Sequence, residues 1–352
     1  MLGALDLGLL MGLMSLGVFL SFKVLNFADL TVDASFVTGG AVVAIGIVSG
    51  WSPLVVTVLA FVVGCAAGAC TGLLNTVGGI NPLLAGILMQ VALYTVNLRI
   101  MGRANISLLN MPTLISPLRP FADWQSVLTF AIIAAVFWLA VTWFLGTDVG
   151  LGMRSAGDNE TMSRAQGVAS KGMVVAGLAV SNGLVALSGG LLAQYNSFAD
   201  ISMGIGTIVA GLASVIIGQA IFGSRPVWRG ALAAVLGSVL YRVIIQLALG
   251  MGLQAGDMKL ISAVLVIIAL LVPRLPVFQQ FARARHEREI AKQALAVDLD
   301  GDGAGNSDVR NQSAVAGTAD GPAHPARHIC RVSRSLSEIP APSPSEGQVS
   351  NG

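Results

Sequence analysis

The sequence predicts an all-α polytopic membrane protein. It reads as about nine transmembrane helices, arranged as two inverted four-helix repeats around a central extra helix, with the N-terminus out and the C-terminus in. Composition is the first observation behind this. The chain is 55% hydrophobic and 11% charged, with a mean hydropathy of +0.78, which excludes a soluble globule. Its 42 glycines suit helix packing in lipid, where small residues let backbones approach. The second observation is a phrase that occurs twice. Asn26-Phe27-Ala28-Asp29-Leu30-Thr31 is matched by Asn196-Ser197-Phe198-Ala199-Asp200-Ile201-Ser202. Each copy follows one apolar segment and precedes three, and an odd helix between two even halves forces the halves into opposite orientations. The third observation is the placement of the basic residues.

A span needs about 20 mainly apolar residues. Candidates lie at 3–22, 34–50, 53–75, 82–100, 126–146, 173–194, 204–222, 230–250 and 258–273. Repeat one covers about 1–100, the linking span 126–146 and repeat two about 173–273. The second span is short and carries Gly39, Gly40, Gly46 and Gly50, so it reads as a broken or re-entrant element of the kind that lines a cavity. The first apolar run has no basic residues before it and reads as a retained span rather than a cleaved signal. With the N-terminus outside, ten basic residues fall inside: Lys23, Arg154, Arg164, Lys171, Arg225, Arg229, Arg274, Arg283, Arg285 and Arg288. Only Arg99, Arg103, Arg119 and Lys259 fall outside, a positive-inside bias.

Two sets of polar residues are candidate working parts. The longest internal polar stretch, Gly146–Lys171, lies on the cytoplasmic side of this topology. Within it, 159–167 has helical character, with Asp158 or Asn159 as cap and Glu160 in the first turn. It is either a docking element for a motor protein or a plain connecting loop. The second set lies at the spans. Asp29, Thr31 and Asp33 open the second span, Asn81 opens the fourth, and Gln90, Tyr94 and Asn97 follow at i, i+4, i+7 on one helical face. That stripe either lines a solute path or bonds to a neighbouring helix. Asn26, Asp29 and Asp200, at repeat-related positions, read as gating elements or interfacial caps. Arg242 and Gln246 share a face of the eighth span.

Some of these strings carry a resemblance. Gly152-Met153-Arg154-Ser155-Ala156-Gly157-Asp158-Asn159, followed by Ala165-Gln166-Gly167-Val168, resembles the cytoplasmic loop of bacterial ABC importer permeases of the branched-chain amino acid and ribose type. LNFADLTVDASF, NPLLAGIL and YTVNLRIMG resemble the tryptophan/tyrosine-type uptake permeases within that superfamily. The resemblance covers about residues 1–273. Ser155 stands where alanine is common, and Ser163-Arg164-Ala165 replaces the usual Ala-Arg pairing. The resemblance implies a coupling loop made of Arg154, Ser155, Ala156, Gly157, Asp158, Asn159, Ala165 and Gly167, on which a separate ATP-binding ABC subunit docks. It also implies an extracytoplasmic substrate-binding protein, a homodimer, a bacterial inner-membrane location, and ATP and Mg held by the partner subunit.

The chain itself is expected to bind no cofactor. None of its four lysines (Lys23, Lys171, Lys259, Lys292) stands in a phosphate-binding Gly-x-x-x-x-Gly-Lys context, so it is not read as an enzyme. No metal site is expected. Asp298-Leu299-Asp300-Gly301-Asp302-Gly303 opens like a calcium loop, yet its twelfth position is Val309 rather than Glu, and it reads as an acidic linker. Cys65, Cys70 and Cys330 form no disulfide framework. Residues 278–297 read as an amphipathic helix on the cytoplasmic surface and 298–352 as a disordered tail. The expected function is import of a small solute, an amino acid or an aromatic one, across the inner membrane, with no nucleic-acid partner. The alternatives are an ion-coupled secondary transporter with inverted repeats, against which the lack of membrane histidine counts, and a membrane-embedded scaffold or sensor.

Overall fold

A computed structural model describes residues 2–116, 124–223 and 226–250, with 263, 264 and 267. Helix α1 (Leu2–Val18) runs on into a π-helical turn (Phe19–Val24). It is followed by α2 (Thr31–Val48), α3 (Pro53–Thr76), α4 (Pro82–Met101), strand β1 (Asn105–Ser107) and α5 (Trp124–Gly146). Then come α6 (Asp148–Asp158), α7 (Glu160–Ala165), α8 (Ser170–Asn196), β2 (Phe198–Asp200), α9 (Thr207–Phe222) and α10 (Val227–Gly250). Local chemistry sets several ends. Pro53 and Pro82 occupy first-turn positions, where a missing N–H costs nothing, and Asn81 Oδ1 accepts from Leu83 N at 3.0 Å. Left-handed Gly102 closes α4.

Among the described residues seven helices are long and apolar enough to cross a membrane, consistent with a polytopic membrane protein. The ninth expected span (258–273) lies almost wholly outside the described residues, and the expected helix at 278–297 and tail at 298–352 lie wholly outside them.

Helix α8 is the centre of the bundle and packs against α3, α2 and α1, while α1 also packs against α10 and α5. The packing is reciprocal: the third helix of the first half lies on α8, and α10 lies on α1. The shared core draws Leu13 and Leu16 from α1, Phe36 from α2, Phe130 from α5, Val185 from α8 and Val235 from α10. In lipid, burial of apolar groups between helices gains little, so close contact and hydrogen bonds hold the seams. Ser181 Oγ donates to Gly17 O at 2.7 Å, Ser188 Oγ to Leu10 O at 2.8 Å and Ser238 Oγ to Gly8 O at 2.8 Å. Each such bond contributes about 0.6 kcal/mol. Where α2 meets α8 the backbones nearly touch: a Cβ on Gly39 would lie 1.8 Å from Ala186 O.

The described residues are mostly helical, consistent with a polytopic all-α membrane protein. A small addition is an antiparallel two-stranded ribbon of β1 and β2, with Asn105 opposite Asp200 and Ser107 opposite Phe198. The second Phe-Ala-Asp phrase is thus a strand. One expectation needs correction: the broken element is in a different place. Helix α2 is uninterrupted over 18 residues, and the short helix is α9, with 16. At 1.5 Å per residue α9 is about 24 Å long, less than the roughly 30 Å hydrocarbon core. Its missing length is the turn-rich stretch 201–206, which runs down the side of α2. Met203 meets Gly40, Gly204 meets Val37 and Asp33, and Gly206 N bonds Asp33.

Candidate functional site

The start of α9 is held by a residue from the other half of the chain. Asp33, buried in the first turn of α2, accepts from Ile208 N at 2.7 Å and from Thr207 Oγ1 at 2.8 Å through Oδ1. Its Oδ2 accepts from Gly206 N at 3.2 Å. A helix N-terminus exposes unpaired N–H groups and a partial positive charge, and a carboxylate answers both. Non-helical backbone inside a bundle persists only where it is paired or lines a cavity, and here it does both.

The cavity measures about 270 Å³ and is lined by Asp33, Ala34 and Val37 of α2, Gln90, Val91, Tyr94 and Asn97 of α4, and Ile201, Gly204 and Ile205 of the turn stretch. The polar face read from sequence on α4 therefore meets Asp33. Asn97 lines the cavity, and its Nδ2 donates to Ala34 O at 3.3 Å. Tyr94 and Val91 stay exposed, on a face of α4 rich in apolar side chains.

Asp29 and Thr31 lie in a different network. Asp29 is fully buried and accepts from Asn182 Nδ2 at 2.6 Å, halfway along α8, and from Thr31 N at 2.9 Å. The Thr31 hydroxyl pairs with that of Thr71 at 2.9 Å. Asp29 thus both bonds the backbone at the start of α2 and reaches across to α8. The two copies of the phrase nonetheless share a backbone form. Asn26 (φ 52) and Ser197 (φ 62) are both left-handed non-glycine residues immediately before Phe-Ala-Asp. Asp200 Oδ1 accepts from Ser202 N at 2.7 Å, as Asp29 does from Thr31 N. Hydrogen bonds from the Ser202 side chain and backbone and from Asn105 Nδ2 (3.0 Å) outweigh partial burial and hold the Asp200 carboxyl below its usual pKa range.

At the opposite end of the bundle from the ribbon, the polar stretch is two helices rather than one. Arg154, Ser155, Ala156, Gly157 and Asp158 lie in α6; Asn159 caps α7, its Oδ1 accepting from Met162 N at 3.0 Å. Ala165 ends α7, and Gly167 (φ 82) turns the chain toward α8. Ser155 and Ser163, the two departures noted in the sequence, are bonded to each other at 3.0 Å and tie α6 to α7. Met153 is buried against Leu25, Phe27 and Leu178. Gly157 packs so tightly on the π-turn that a Cβ there would lie 2.1 Å from Val24 O. A second cavity, of about 950 Å³, brings Lys23 and Asn26 together with Arg154, Gly157 and Asp158. Helix α6 is therefore packed directly on the segment that leads into Asp29.

Asn182, Thr71, Gly206 and Thr207 were missed by sequence reasoning. Asn182 carried a signal, as an amide in mid-span; Thr207 carried none, since a hydroxyl opening an apolar run is unexceptional. Among the described residues no group of histidine, cysteine and carboxylate side chains is placed to hold a metal ion.

Comparison with known proteins gives concordant results. The profile of the family described as "Branched-chain amino acid transport system / permease component" matches residues 1–271. A tyrosine transport system permease protein of Clostridioides difficile (strain R20291) is 38% identical over 263 residues, covering 74% of this chain and 86% of that protein. An uncharacterized protein of Rickettsia prowazekii (strain Madrid E) is 35% identical over 271 residues, covering 76% and 95% respectively. No solved structure matches at comparable significance.

Proposed function

Because the chain belongs to the branched-chain amino acid transport permease family, we propose that it is the membrane-spanning permease of an ATP-driven importer, and that its solute is an amino acid, an aromatic one among them. The observation that carries this reading is the α6–α7 element: an exposed, capped helical pair anchored through Gly157 and Met153 to the segment that opens the solute-side network. A separate ATP-binding subunit docks on Arg154, Ser155, Ala156, Gly157, Asp158 and Asn159, with Ala165 and Gly167 shaping the turn beyond. ATP and Mg belong to that subunit, and an extracytoplasmic binding protein delivers the solute. The protein works as a homodimer in the bacterial inner membrane, N-terminus out and C-terminus in. Asn26, Asp29, Thr31, Asp33, Asn81, Gln90, Tyr94, Asn97 and Asp200 form its path and gates. The reciprocal packing of α3 on α8 and of α10 on α1, with the matched turns before Asp29 and Asp200, supports the inverted-repeat reading. The name of the Clostridioides relative supports an aromatic amino acid.

The test is capture. Wild-type protein in mild detergent is expected to co-purify with an ATP-binding subunit and its ATPase activity, and Arg154→Glu/Asn159→Ala to lose both. Absence of any ATPase with the wild type, together with flux that collapses with the proton gradient, would instead support ion coupling through the buried Asp29 and Asp33. A second expectation concerns Gly157→Leu. The added side chain pushes α6 off Val24, so ATP-driven uptake falls about tenfold or more, a loss of about 1.4 kcal/mol or more in coupling. Parallel assays of ATP hydrolysis and uptake in proteoliposomes decide it; wild-type uptake by Gly157→Leu would refute the mechanical link.

A further inference from the structure

Taking the cavity between α2, α4 and the 201–206 turns as a solute station, which rests on the reading above, we propose that it recognises the ammonium group of its solute and not the carboxylate. The lining residues include one carboxylate, two amides and one phenol, and no basic side chain. An anionic group entering there meets Asp33 without a cation to balance it.

Acceptor bookkeeping points the same way. A carboxylate offers about four lone-pair sites. Gly206 N, Thr207 Oγ1 and Ile208 N take three on Asp33, two of them on Oδ1, which leaves Oδ2 with room for a further donor. Asn97 is 1% exposed, its Nδ2 is committed to Ala34 O, and its Oδ1 has no hydrogen-bond partner among the described residues. Gln90 sits two turns away on the same face of α4. Asp33 Oδ2 and Asn97 Oδ1 are therefore acceptors with capacity to spare, and an ammonium brings three donors. Short helices inside transport proteins usually present a free N-terminus to a substrate carboxylate. Here Asp33 already fills that position at α9, so the carboxylate-binding role is taken. Val37, Val91, Ile201 and Ile205 supply apolar wall for the solute's side chain, and about 270 Å³ suits a solute of single amino-acid size.

The experiment uses the full chain in lipid nanodiscs and measures direct binding of three probes. They are L-tyrosine, tyramine (the amine without the carboxylate) and 3-(4-hydroxyphenyl)propanoate (the carboxylate without the amine). Tyrosine and tyramine are expected to bind within about tenfold of each other, and the propanoate at least about tenfold more weakly. Asn97→Leu should weaken both amines by about tenfold while leaving the propanoate unchanged. Gln90→Leu, at a half-exposed position, repeats the test where Asn97→Leu fails to fold. The proposal is overturned if the propanoate binds as tightly as tyrosine, if the amine preference survives both substitutions, or if no probe binds at millimolar concentration. These failures leave capture of the ATPase untouched, so they are distinct from a failure of the importer reading.

Discussion

Gly39→Leu is expected to abolish recoverable folded protein. A Cβ at this position would stand 1.8 Å from Ala186 O, 2.5 Å from its carbonyl carbon and 2.7 Å from its Cα, all backbone atoms of α8. A side chain that clashes with backbone cannot be relieved by a rotamer change, so the helices must separate. Helix α8 has nowhere to move, since α3 and α1 hold its other faces. Overpacking a core typically costs 1–3 kcal/mol, and a clash this deep lies at about 3 kcal/mol or beyond. Leucine's better helix propensity returns only about 1 kcal/mol of that. Size-exclusion of a fluorescently tagged chain is the measurement. Gly146→Leu, where a Cβ meets nothing within 4 Å, is the control expected to behave as wild type. A monodisperse peak of normal yield for Gly39→Leu would contradict the α2–α8 contact.

Asp33→Ala should destabilise the protein and stop transport without preventing ATPase capture. It strands two backbone N–H groups at the start of α9, while the Thr207 hydroxyl keeps Gly204 O as an acceptor at 3.0 Å. A buried donor left unpaired costs about 1–3 kcal/mol, so the two together cost on the order of 3 kcal/mol. Asp33→Asn should fall between, because it keeps one acceptor but turns an NH₂ toward donors. Thermal unfolding in detergent reports the first effect and proteoliposome uptake the second. The α6–α7 element lies at the other end of the bundle and should still capture its partner. Wild-type stability together with wild-type flux in Asp33→Ala would remove Asp33 from both roles.

Hydropathy located most of the bundle, because spans such as α3 and α5 are continuous apolar runs with proline, serine or glycine near their ends. At α9 the expected span, 204–222, opens three residues before the helix does, because Ile205 is apolar and only left-handed Gly206 and the distant Asp33 set the start at Thr207. Hydropathy also underestimated α6, whose DVGLGMRSAGD carries three glycines; helix there depends on the Thr147 cap and the burial of Met153. The candidate site divides in the same way. The spacing of Gln90, Tyr94 and Asn97 gave their common face, since helical geometry is local. That Asp33 would face them, while Asp29 turned away to Asn182, depends on contacts between segments more than sixty residues apart in the first case and 153 in the second. The ribbon was invisible, because a three-residue strand has too little pattern to register.

The exchange of partners between the two halves also shapes how the chain must be made. Helix α3 finds its main neighbour in α8, which begins about a hundred residues after α3 ends. During synthesis α2 and α3 therefore enter the bilayer with their glycine faces uncovered, and they stay so until Asn196 has been translated. Those faces are lined by small residues, which lets other helix backbones approach them closely. The final packing of the first half is accordingly post-insertional, because the α3–α8 contact closes only once the second half is present.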